Sequence, residues 1–137
     1  MDFWTTRVSK IASMIPWDVV NGIGAVPWNQ EVEYRGFVKQ MTPVEFRALV
    51  PSGSWGNKGE EFADLIRQGK SFAPPFLEVE WEGDHWQVID HEGRSRSDAS
   101  RKLEGPNFPM PVHIFPRGLR ARDLTDEMRN APFNAQA

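Results

Sequence analysis

The 137-residue chain contains no cysteine. Disulfides, a thiolate nucleophile and cysteine-based zinc sites are therefore excluded. Histidine is scarce as well: three are present, and His85, His91 and His113 lack metal-ligand spacing, so neither zinc nor haem is expected. No run of about 18 apolar residues occurs, which excludes a transmembrane helix. Arg7 and Lys10 stand near the N-terminus without the apolar stretch and cleavage site of a secretory signal, so none is expected. A basic excess is also missing. Sixteen Lys and Arg against nineteen Asp and Glu give a net charge of −3, which argues against a binder that covers nucleic acid with a broad positive face. Local clusters remain: Arg94, Arg96, Arg101 and Lys102, then Arg117, Arg120 and Arg122.

Six tryptophans and nine phenylalanines supply the means to fill one small core. A single domain over 1–137 is expected, with an N-terminal helix and wrapping loop (1–31), a core (32–116) and a C-terminal tail (117–137). Asp2 to Met14 has helical apolar spacing, as a packed terminal helix or a docking helix would. Val32 to Met41 alternates like a strand. Thr42-Pro43-Val44-Glu45 is a helix start with a capping box. Pro51 to Gly59, glycine-rich and carrying Trp55, reads as a surface connection or a lid. Glu60 to Gln68 reads as a helix stopped by Gly69. Phe76–Trp81 and Trp86–Ile89 alternate around Glu82-Gly83-Asp84, the clearest hairpin in the chain. A short strand, Val112 to Phe115, follows three prolines. Thr125 starts a last helical turn, and Asn130 to Ala137 is expected to fray. The fold class is α+β: a small mixed sheet with a hairpin and short helices.

Attention falls on the stretch Asp90-His91-Glu92-Gly93-Arg94-Ser95-Arg96-Ser97-Asp98. It reads as a strand ending in a charged glycine loop that opens a helix. Free N–H groups and the helix dipole favour an anion at such a place, and two arginines strengthen that preference.

The residues from Glu61 to Gly69, Pro75 to Val79, Trp86 to Asp90, His91 to Arg96 and Pro111 to Ile114 together resemble the ParB/sulfiredoxin fold. The closest pattern is a phage and mobile-element subset with a His-Glu-Gly-Arg-His-Arg loop; this chain has Ser95 in place of its second histidine. Gly22 to Pro27, Tyr34 to Phe37 and Arg120 to Arg122 are similar to flanking segments of the same proteins. The resemblance implies a nucleotide or nucleic-acid phosphate held by Gly93, Arg94, Ser95 and Arg96. Phosphoryl transfer, nuclease action or DNA modification would be the associated chemistry. A host-cell cytoplasmic or virion location goes with a phage origin.

For such chemistry Glu92 or Asp90 is the candidate base, and Asp90 or Asp98 could hold magnesium with substrate phosphates. Trp55, Arg101, Arg120 and Arg122 are candidate nucleic-acid or substrate contacts. Serine at 95 lacks an imidazole titrating near neutrality, which removes an acid, base or phosphate donor. The competing account has Asp90 and Glu92 simply neutralising Arg94 and Arg96. The domain is then a silent structural or host-protein interaction module.

Overall fold

Alternation along Phe76 to Trp81 and Trp86 to Glu92 produces the expected hairpin, strands β2 (Phe76–Trp81) and β3 (Trp86–Glu92). Leu77, Val79, Trp86 and Val88 point into the core, and the polar residues between them face away. The computed structural model describes residues 13–19, 32–34, 36–51 and 57–137. Within them, β1 (Phe37–Met41), β4 (Met110–Pro116) and β5 (Phe133–Asn134) join the hairpin in one curled mixed sheet, ordered β1-β4-β2-β3-β5. Four short helices accompany it: α1 (Pro43–Leu49), α2 (Gly59–Arg67), α3 (Arg94–Glu104) and α4 (Asp126–Asn130). The α+β class is therefore as expected. None of the described helices is long and apolar enough to cross a membrane.

One apolar cluster joins the sheet to α1 and α4 through Phe46, Val50, Leu77, Val79, Trp86, Val112, Ile114 and Met128. Trp86 also donates its Nε1–H to the Met128 carbonyl at 2.6 Å, so its one polar atom is satisfied in the core. A second cluster, Ala63, Ile66, Ala99 and Ile15, holds α2 against α3. No residue of α3 belongs to the first cluster.

Three expectations are corrected. The strand expected over Val32 to Met41 begins only at Phe37, after a 3-10 turn at Val32–Tyr34. The strand expected over Val112 to Phe115 extends to Met110–Pro116 and is buried along its whole length, with Pro111 and Pro116 inside it. Backbone alternation explains how prolines fit there. The His113 N–H reaches Pro75 on the β2 side, so the Pro111 nitrogen faces the same way, before β2 has supplied a partner. The Pro116 nitrogen faces β1, past that strand's first pairing at Phe37 and Ile114.

The tail expected to fray is tied down instead. Its β5 runs parallel to β3, Trp86 N–H bonds Pro132 O, Gln136 N–H bonds Leu49 O, and Gln87 Nε2 bonds Ala135 O. Most of the expected N-terminal helix lies outside the described residues, as do Trp4, Trp28, Trp55 and most of the glycine-rich segment. Ser13 and Met14 are described, are not helical, and hold the Glu104 carboxylate.

Candidate functional site

The charged loop between strand and helix is in fact a single residue. His91 and Glu92 belong to β3, Arg94 already belongs to α3, and Gly93 alone makes the joint. Its φ of +110° is open to glycine, and a Cβ there would stand 2.7 Å from the Pro75 Cα. Reversal in one residue therefore requires glycine on two counts.

This compact joint distributes its neighbours to different sides. Alternation along β3 puts His91 opposite Leu77 on one face and Glu92 opposite Phe76 on the other. His91 Nδ1 bonds Gln136 Oε1 at 2.7 Å, a partner from the tail. Glu92 takes Arg96 in an ion pair. Arg94 directs Nη1 to the Pro51 carbonyl at 3.4 Å, just beyond α1. Ser95 Oγ accepts the Lys58 N–H at 3.2 Å, which ties the start of α3 to the start of α2. Asp90 is exposed beside Glu78, and its Oδ1 accepts the His91 N–H.

The start of α3 differs from the other helix starts. Glu45 in α1, Glu60 and Glu61 in α2, and Asp126 and Glu127 in α4 place negative charge in the first turn, as the dipole favours. In α3 the first turn has no acid and no side-chain cap, and Arg94, Ser95 and Arg96 occupy it. Its N–H groups and the two guanidinium groups together favour an anion.

Other candidate residues are engaged elsewhere. Asp98 is nearly buried, 2.6 Å from Arg101 Nη2, and it packs directly on Gly59 at the start of α2. Arg101 and Asp98 thus serve the α2–α3 interface. Arg120 donates to the Tyr34 hydroxyl at 3.1 Å, a bond that raises the Arg120 pKa above its ordinary value. Arg120 and the exposed Arg122 follow the end of β4 that pairs with Val79, away from the Phe76–Glu92 end where Gly93 lies. Among the described residues no group of three or more His, Asp or Glu side chains is placed to hold a metal ion. Asp90 remains an accessible carboxylate that could share magnesium with phosphate oxygens, since that ion retains waters and needs few protein ligands.

Sequence reasoning weighed His113 only as a metal ligand. It is 1% exposed, with both ring nitrogens lacking a partner, and burial lowers its pKa from the ordinary 6.5. Its strand contains Pro111 and Pro116, and nothing in that pattern distinguishes a buried imidazole from an apolar residue.

Comparison with known proteins returned no matching family model, no matching curated protein and no matching solved structure.

Proposed function

We propose that this chain is a ParB/sulfiredoxin-like domain of the phage or mobile-element kind that binds a nucleotide or nucleic-acid phosphate at the start of α3. The observation that carries the reading is the first turn of α3, uncapped by any side chain, free of acid and bearing Arg94 and Arg96. Gly93 supports close approach because it presents no side chain, and Arg94 and Arg96 supply charge. Ser95 joins the two helix starts by accepting the Lys58 N–H, and its O–H is left to donate to the phosphate. Binding is the part of the reading best supported. Phosphoryl-transfer, nuclease or DNA-modifying chemistry would further require Glu92 to leave Arg96 before acting as a base, or Asp90 to take that role beside magnesium.

The Glu92–Arg96 ion pair favours a second reading, a catalytically silent module that keeps the fold and contacts a host or virion protein. Calorimetric titration with ATP, CTP and a short oligonucleotide, each with magnesium, separates the two. Phosphate binding predicts a signal that Arg94→Ala and Arg96→Ala each weaken by at least about tenfold, the worth of one charge-assisted hydrogen bond. No signal, or one indifferent to both substitutions, overturns it in favour of the silent module.

A further inference from the structure

Pairing places Val38, His113, Phe76 and Glu92 in one row across β1, β4, β2 and β3, with their side chains on the same face. His113 is 1% exposed and meets the Phe115 ring at 5.7 Å. Phe76 also meets Phe115 edge-on at 5.7 Å. The step Pro75–Phe76 links this imidazole to α3. Pro75 O accepts the His113 N–H, while Gly93 lies against Pro75 and Arg96 Nη2 lies 3.0 Å from where a Gly93 Cβ would be. Gly93, Arg96, Ser97 and Ser100 recur at helical spacing, so the face of α3 that starts on Pro75 is polar. Arg96 Nε, Ser97 Oγ and Ser100 Oγ are buried without partners. That contact is weakly held compared with the apolar core, to which α3 contributes nothing.

We propose that His113 is a proton-operated latch for the α2–α3 pair: neutral, it lets the start of α3 lie on Pro75, and protonated, it releases it. A buried imidazole with no acceptor cannot hold a positive charge, so protonation requires water to reach it. The charged groups on the same face do not relieve this. Glu92 on β3 is paired with Arg96, Glu78 on β2 with Arg117, and Asp90 is exposed on the next row. Arg96 on α3 carries the same sign as an imidazolium and is taken up by Glu92, and β1 offers only Val38 and Gln40. With the closed-state pKa below 6.5, the closed state is fully favoured above pH 6.5 and loses ground as pH falls below it. The pair would open around its own cluster, Ile15, Ala63, Ile66 and Ala99, giving up the Arg94 contact with Pro51 beyond α1.

The test is amide hydrogen exchange on the full chain from pH 7.5 to 5, corrected for intrinsic exchange. Protection of the Ser97 to Ser100 amides should fall by up to about tenfold per pH unit below 6.5 while Val79 and Val112 stay protected. In His113→Leu the slope should vanish. A flat wild-type profile, an unchanged slope in the variant, or simultaneous loss in β2 and β4 overturns the proposal. Should His113→Leu fail to fold, wild-type imidazole titration decides. Ionisation in step with the α3 amides supports the latch, and ordinary titration near 6.5 with those amides unmoved overturns it.

Discussion

Gly59 lies so close to Asp98 that a Cβ on the glycine would stand 2.0 Å from Asp98 Oδ2. The carboxylate is 4% exposed and sits against the first turn of α2, where the helix dipole stabilises it. Gly59→Ala must therefore separate the two helices or turn Asp98 away from Arg101. Overpacking of this kind costs about 1–3 kcal/mol. A urea midpoint lowered accordingly, with an unchanged m-value, is the expected result.

Asp98→Ala attacks the same contact from the other side. It removes the two bonds that the 4%-exposed carboxylate accepts from the 31%-exposed Arg101, and losing hydrogen bonds to a charged group costs about 1.5–3 kcal/mol. Because Gly59 and Asp98 touch, the double variant should be less destabilised than the sum of the singles. A double-mutant cycle by urea denaturation measures the difference.

Ser95→Ala removes the acceptor for the Lys58 N–H. The expected loss is about 0.5–1.5 kcal/mol of stability. The Ser95 O–H can still donate to a bound anion, so anion affinity should fall as well, by about two- to tenfold. Thermal unfolding and calorimetry on one preparation test both parts.

Glu92→Gln removes the carboxylate that holds Arg96. If phosphate binds at the start of α3, that carboxylate is its competitor, and affinity should rise by about three- to tenfold, most strongly at low salt. Calorimetry at two ionic strengths reads the change. A fall in affinity would assign Glu92 to the ligand side.

Removal of Phe133 to Ala137 deletes β5 and the bonds from Gln136 to Leu49, Gln87 to Ala135 and His91 to Gln136. At about 1 kcal/mol each, these contribute about 3 kcal/mol. The truncated protein should unfold at correspondingly lower urea.

Where local chemistry decides the structure, the sequence was readable. Thr42 with Glu45 and Thr125 with Met128 form their helix starts, Gly83 turns the hairpin, and Gly93 reverses the chain where expected. What escaped depends on partners distant in sequence. Pro111 was read as leading into the strand rather than belonging to it, because the fit of a proline in β4 depends on where β1 and β2 begin. The tail looked loose because its hold comes from Leu49, Trp86 and Gln87 rather than from its own residues. At the corner, the residue types were legible but their directions were not. Strand alternation through Glu92 sends His91 and Glu92 to opposite faces, a separation hidden while the stretch read as a loop.

The sheet order also governs how the chain emerges during synthesis. Among the described residues β1 pairs only with β4, and Lys39 reaches the Arg129 carbonyl across 90 positions. At roughly 5–20 residues per second, translation leaves β1 unpaired for about 4–14 s before β4 appears. During that interval Phe37, Val38 and Met41 form an open edge on the ribosome. An unpaired strand of this kind is a template for pairing with other chains until β4 arrives.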